Sequence, residues 1–234
     1  MIKAVIFDLD NTLVDFMRVK RRAVEAAVEA MIDAGLNTPK EKMTEQIFKM
    51  YGREGIEDQL VFDKMLVEEY GEIDYRILAA GILGYRRAKE GSMVLYPHVK
   101  LTISKLIQKG LRLAIVSDAP RLSVWLRLVS LGLDVFFDTV VTFDDTGFRK
   151  PDPHPFRRAL EKLEIKPEEA VMIGDWAERD IVGAKGLGIK TVFARYGDDF
   201  NTKDPGADFE ATDVVQLLEV VDKLNAVSGP GVTP

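Results

Sequence analysis

Asp8 and Asp10 stand one residue apart, directly after the apolar run Ala4-Val5-Ile6-Phe7 and before the helix-averse pair Asn11-Thr12. The pattern reads as a buried strand ending in carboxylates. Side chains alternate across a strand, so residues i and i+2 share a face, about 7 Å apart where the strand stays extended. Two acids aimed at one site repel each other unless a divalent cation, a lysine or a proton joins them.

Other polar groups follow apolar runs in the same way. Ser117 and Asp118 follow Ala114-Ile115-Val116, Lys150-Pro151 ends a loop leaving Val140-Val141, and Gly174-Asp175 follow Met172-Ile173, with Asp180 five residues on. Singly, each has an ordinary explanation: an Asp after a strand often forms a turn or caps a helix, and a lysine is usually a solvated charge. Together and in order they predict a cluster, because ligands of an open parallel sheet bind beyond the carboxyl ends of its strands.

The chemistry of such a cluster is phosphoryl transfer. Carboxylate oxygens match Mg²⁺, which would resolve the repulsion of the acids. One carboxylate can attack phosphorus to give an acyl-phosphate, splitting one displacement into two easier ones. The other can protonate the leaving oxygen and later deprotonate the attacking water. Lys150, the Ser117 hydroxyl and the main-chain amides of residues 117–119 would meet charge on the transferring oxygens.

The elements that must position these groups fall into two patterns. From Asp15 to Gly91 the sequence is helical in period: Phe16, Val19, Ala23, Val24, Ala27, Val28, Met31 and Ile32 form one apolar stripe, with Asp15 as a plausible cap and Gly35 as a stop. Further helices are expected over 42–50, 55–70 and 74–89. From Pro97 onward short apolar strands alternate with helices: strands at 111–116, 138–143, 170–173 and 190–193, and helices to 109 and over 121–131, 154–163 and 213–226. Such alternation implies an α/β fold, a parallel sheet with helices on both faces, which the first strand must join to bury its own two faces. The expected organisation is an α/β core of residues 1–14 and 92–227, an all-helical insert over 15–91, and a disordered tail at 228–234 rich in Gly and Pro.

Composition narrows the partners. With 234 residues, 47% hydrophobic and 30% charged, the chain has material for one large domain or two modest ones. A net charge of -6 argues against a general nucleic-acid surface. The chain has no cysteine, which excludes disulfides, thiolate metal sites and thiol nucleophiles. Neither a secretory signal nor an apolar run of membrane-spanning length is evident, so a cytoplasmic protein with no membrane partner is expected. Oligomeric state is not legible.

The motifs Asp-Leu-Asp-Asn-Thr-Leu at 8–13, Ser117-Asp118, Lys150-Pro151-Asp152-Pro153 and Gly174-Asp175 with Asp180 resemble those of the haloacid dehalogenase superfamily of aspartate-nucleophile hydrolases. The resemblance extends to about Ala226. It implies a Rossmann-like, doubly wound parallel core with a cap inserted after the first motif, closing over the site. It further implies roles: Asp8 as nucleophile and Mg²⁺ ligand, and Asp10 as general acid/base with its backbone carbonyl on the metal. Ser117 and Lys150 would hold the phosphoryl group, Asp118 would lie in the same substrate-binding turn, and Asp175 would be a further ligand. Dehalogenases of the superfamily lack the second aspartate, since a halide needs no proton, so Asp10 points to phosphate chemistry on a small phosphorylated metabolite such as a sugar or glycolytic phosphate. In Gly174-Asp175-Trp176-Ala177-Glu178-Arg179-Asp180 the chain departs from the pattern: Trp176 replaces a small polar residue and Arg179 an Asn, which leaves the role of Asp180 open.

Two rivals share the residues. A phosphomutase would return the phosphoryl group to substrate, and a phospho-acceptor or sensor domain would gather aspartates, a hydroxyl and a lysine around Mg²⁺ without turnover. Trp176, His98 and His154 are expected in packing or capping. The basic run Arg18, Lys20, Arg21 and Arg22 reads first as a solvated helix face and Arg53 as part of a flexible loop, with anion contact by Arg18, Lys20 or Arg53 as the secondary reading.

Overall fold

The structure, a computed structural model, describes residues 1–227; the expected tail at 228–234 lies outside the described residues. The chain divides into two units, one made of Met1–Asp15 and the chain from Val94 onward, the other of Phe16–Met93.

Strand β1 (Ala4–Phe7) opens the first unit, and all four of its residues are buried. The second unit follows, with α1 (Phe16–Asp33), α2 (Lys40–Glu54), α3 (Val61–Tyr70) and α4 (Tyr75–Ser92). The α1 stripe of Val24, Ala27, Val28 and Met31 packs with Met43 and Ile47 of α2, Phe62, Met65 and Leu66 of α3, and Ile77 and Leu78 of α4. This is the amphipathic period expected from the sequence, buried against its neighbours. The helix expected from Gly55 starts only at Val61, because Asp58 accepts the Leu60 N–H at 2.7 Å and so holds a turn in place of the helix. Lys20 also departs from expectation. Its ammonium is turned into this helical unit, donating to the Ile56 carbonyl at 2.8 Å and to Tyr85 Oη at 3.0 Å, and lying 3.7 Å from the centre of the Tyr51 ring.

The chain returns to the first unit through α5 (Val99–Gln108), β2 (Arg112–Val116), α6 (Arg121–Leu131), β3 (Thr139–Val141), α7 (Phe143–Thr146), α8 (Pro153–Leu163), β4 (Ala170–Gly174), α9 (Val182–Lys185), β5 (Lys190–Ala194), β6 (Phe209–Ala211) and α10 (Leu217–Val227). The six strands form one sheet in the order β3-β2-β1-β4-β5-β6, and every pairing is parallel. Alternate residues face one side: Ala4, Ile6, Ala114, Val116, Ala170 and Met172 pack with Phe156, Ala159, Leu160 and Leu163 of α8. On the other side α5 lies against β2, and α10 against α5. This is a Rossmann-like α/β arrangement with β1 in the middle of the sheet.

Two further boundaries and one strand differ from the sequence reading. The strand expected to reach Phe143 stops at Val141, because Thr142 donates both its N–H and its hydroxyl to Asp145, at 2.8 and 2.6 Å, and starts α7. The last helix opens as a 3₁₀ turn over Val214–Gln216, where Asp213 accepts the Val215 N–H at 2.9 Å. The three-residue edge strand β6 carries too little apolar pattern to be read in advance. Among the described residues no helix is long and apolar enough to cross a membrane.

Candidate active site

Register sets the geometry of the site. Phe7 pairs with Ile115 on one side and Ile173 on the other, so Asp8 emerges level with the ends of β2 and β4. Its N–H still bonds the Ile173 carbonyl at 2.9 Å, which continues the strand one residue and anchors the side chain. The backbone then turns: Asn11 takes a left-handed conformation at φ 57°, and the N–H groups of Leu13 and Val14 both reach the Leu9 carbonyl at 3.0 Å. Asn tolerates that conformation better than most side chains, which accounts for its place in the loop.

The two aspartates acquire different partners. Asp8 Oδ1 lies 2.5 Å from Lys150 Nζ, which also donates to Asp180 Oδ1 at 2.6 Å and to the Val116 carbonyl at 3.1 Å. Thr12 Oγ1 lies 3.2 Å from Asp175 Oδ1 and 3.4 Å from Asp8 Oδ2. Asp8, Asp175 and Asp180, all buried, bring oxygen atoms within 4.8 Å of one another. Asp10 is half-buried and forms an ion pair with the buried Arg127 of α6, Nε to Oδ1 3.1 Å. The third carboxylate of the cluster is thus Asp180, whereas Asp10 places its side chain elsewhere.

Asp180 reaches the cluster through a π-helical turn at Ala177–Ile181 that follows β4. Its Oδ2 accepts the Trp176 N–H at 3.0 Å. A Cβ at Gly174 would collide with the Asp180 carboxylate, so only glycine permits this approach. Trp176 and Arg179 act as scaffolding: the guanidinium lies 3.7 Å from the indole centre and pairs with Asp118 Oδ2 at 3.1 Å. Asp118 also accepts the Lys150 N–H at 2.9 Å, so its carboxylate ties the Lys150 loop to the turn after β2. Ser117 Oγ accepts the Ala119 N–H at 3.2 Å and is buried.

The electrostatics follow from crowding acids in a dry pocket. Burial, then the Asp8 and Asp180 charges, push Asp175 well above the usual carboxylate range. Burial and Asp8 raise Asp180 to about 7, against the pull of Lys150. Burial works against the Lys150 ammonium, yet Asp180, Asp8 and Asp118 outweigh it and hold its pKa above that of an ordinary lysine. Once ionised, three buried carboxylates against one buried lysine offer a surplus of negatively charged hard oxygen donors, which is what Mg²⁺ requires.

Two residues not anticipated from sequence complete the support. Tyr196, after β5, donates to the Thr12 carbonyl at 2.8 Å and packs edge-on against Tyr96. A Cβ at Gly197 would strike the Asn11 carbonyl, so this glycine lets the loop of the first motif sit down on the turn after β5. Their position just past a strand end was the available signal. Arg127 was also missed, though an arginine in register with the buried Val124 and Leu128 on an amphipathic helix is itself a signal. His98 pairs with Asp213 and His154 with Asp152, and Arg53 forms an exposed pair with Glu68.

The family model of the haloacid dehalogenase-like hydrolases matches residues 2–188. The chain belongs to that family. A glyceraldehyde 3-phosphate phosphatase of Pyrococcus furiosus is 34% identical over 228 residues, covering 96% of this chain and 95% of that relative. A pyrophosphatase PpaX of Bacillus mycoides is 35% identical over 196 residues, 82% of each chain. The crystal structure of a putative β-phosphoglucomutase from Thermotoga maritima superposes with a TM-score of 0.76 over 95% of this chain and 99% of its own, at 22% identity, and speaks to the fold alone. With phosphatases as its relatives across nearly its full length, this haloacid dehalogenase-like hydrolase is a phosphatase.

Proposed function

We propose that this phosphatase hydrolyses a small phosphate monoester, of the class of glyceraldehyde 3-phosphate, with Mg²⁺ and through an aspartyl-phosphate on Asp8. The observation that carries the reading is the buried set of Asp8, Asp175 and Asp180 bridged by Lys150, with Asp10 held apart from it on Arg127. The substrate class is supported by the named activity of relatives that share a third of the sequence over almost the whole chain.

Asp8 and Asp175, with Asp180 beside them, would hold the cation, and the Asp10 backbone carbonyl is the further donor that the family resemblance supplies. When bound, Mg²⁺ neutralises the carboxylates and the charge on the phosphoryl oxygens. In this reading Asp8 attacks phosphorus, and its contacts with Lys150 and Thr12 orient the carboxylate. Lys150 and Ser117 offer an ammonium and a hydroxyl to the phosphoryl oxygens, and the turn at Asp118 holds Lys150 in reach. Asp10, outside the lysine-bridged set, protonates the leaving oxygen and then takes a proton from the water that cleaves the acyl-phosphate.

The experiment is phosphate release from a panel of sugar phosphates, glyceraldehyde 3-phosphate and pyrophosphate, with Mg²⁺ or with chelator. Multiple Mg²⁺-dependent turnovers are expected on a three-carbon monoester, with Asp8→Asn lowering kcat by about three orders of magnitude or more. Activity that survives Asp8→Asn would overturn the nucleophile assignment. Isomerised sugar phosphate in place of free phosphate would identify a mutase, and a single stoichiometric phosphorylation a phospho-acceptor.

A further inference from the structure

We propose that Arg127 is a positioning residue for Asp10, holding the carboxylate in the orientation from which it hands its proton to the leaving group. The inference rests on Asp10 being the general acid and adds the group that aims it. Arg127 is 1% exposed and sits on the face of α6 that also buries Val124 and Leu128. Its Nε lies 3.1 Å from Asp10 Oδ1, although α6 follows β2 and the Asp10 loop follows β1.

Stability alone gives a poor reason for this residue. A guanidinium taken wholly out of water loses its hydration, and an apolar side chain of similar volume at such a position is commonly neutral or stabilising. The same face of α6 already holds valine and leucine, so an apolar residue would suit the helix. What arginine adds is a charged, planar group that constrains the plane of a carboxylate. Asp10 needs that constraint more than Asp8 does. Asp8 is gripped by Lys150 and Thr12, whereas Asp10 lies outside that cluster, directly before the left-handed Asn11.

In the first half-reaction an Asp8 oxygen forms a bond to phosphorus as the bond from phosphorus to the alkoxide oxygen breaks, and the Asp10 proton passes to that oxygen, leaving Asp10 as carboxylate. A poor leaving group such as an alkoxide needs the proton, while p-nitrophenolate departs without it. A misaimed Asp10 therefore harms alkyl phosphates selectively, whereas general damage to the fold harms all substrates alike. The ratio kcat/KM is the proper measure, since it extends only through departure of the leaving group.

The test compares wild type, Arg127→Met and Arg127→Lys, loaded with Mg²⁺, on glyceraldehyde 3-phosphate or another alkyl phosphate and on p-nitrophenyl phosphate. The expected result is a loss of kcat/KM for Arg127→Met on the alkyl substrate at least about tenfold larger than its loss on the aryl one, within the range that general-acid catalysis supplies. Arg127→Lys should recover part of the difference. On an Asp10→Asn background the Arg127→Met change should add no further selective loss. Equal losses on both substrates, no loss on either, or full additivity with Asp10→Asn would each overturn the proposal. Should Arg127→Met not accumulate as folded protein, Arg127→Lys carries the same comparison. Wild-type inactivity on both substrates, or activity retained by Asp8→Asn, would strike the phosphatase mechanism instead, so the two failures are separable.

Discussion

Lys150 is the residue on which the charge balance of the site turns. Its ammonium touches Asp8, Asp180 and the Val116 carbonyl with almost no solvent contact. Replacing it with methionine preserves much of the volume and leaves buried carboxylates without a counter-charge. Breaking a buried pair from one side costs about 3–5 kcal/mol. Lys150→Met should therefore lower unfolding free energy in chelator by about that much, read from urea denaturation, and lower kcat by about 100-fold or more for want of a charge facing the phosphoryl group. A variant with wild-type stability in chelator would show that the acids had already taken up protons. Asp8, Ser117 and Asp175 could be singled out in the sequence because each lies just past an apolar run, and Lys150 because it ends the loop that leaves one; strand order brings such positions to one edge of the sheet. Arg127 was not, because its side chain arrives from the middle of a helix; only its clash with the apolar stripe of α6 marks it in the sequence. Tyr196 and Gly197 act through the backbone of the first motif, a contact that no pattern of side-chain types encodes.

At the scale of elements, the π-helical turn after β4 decides whether Asp180 belongs to the site. Trp176 and Arg179 depart from the family pattern, yet they stack on each other while the Trp176 N–H still orients the Asp180 carboxylate. π-Helical turns recur at functional sites because the wider ring redirects a side chain that an α-helix would aim elsewhere. Asp180→Asn keeps the shape and the Trp176 contact but removes one negative charge and loosens Lys150. The expected outcome is a rise of about 10- to 100-fold in the Mg²⁺ concentration for half-maximal activity, with a smaller change in kcat at saturating metal. Mg²⁺ titration of steady-state phosphate release measures it, and an unchanged metal requirement would remove Asp180 from the cation site. The regular strands and long helices of the core were legible because each repeats a period over several residues. β6, α7 and the π-helical turn are three to five residues long, too short to repeat a period often enough to announce it.

For the whole molecule, the cluster should couple folding to pH and, with Mg²⁺ as its cation, to metal. Asp175 and Asp180 have folded-state pKa values above those of the unfolded chain, Asp175 well above and Asp180 at about 7, because burial and mutual repulsion disfavour their charged forms. For an acid shifted upward the folded state binds the proton more tightly. Its stabilising contribution is thus complete below the unfolded value of about 3.9 and is lost as pH rises through the folded value. In chelator, the melting temperature should fall between about pH 5.5 and about pH 8 from this term. Mg²⁺ takes the place of the missing protons and competes with them, so the gain in melting temperature on adding saturating Mg²⁺ should be larger at the higher pH, by a few degrees. Thermal scans with and without Mg²⁺ at both pH values test this, with Asp175→Asn as the control that removes one of the titrating acids. A metal-induced gain that is equal at the two pH values, or larger at the lower one, would show that the carboxylates do not carry their protons in the metal-free fold. The buried negative cluster would then be held ionised by Lys150 alone.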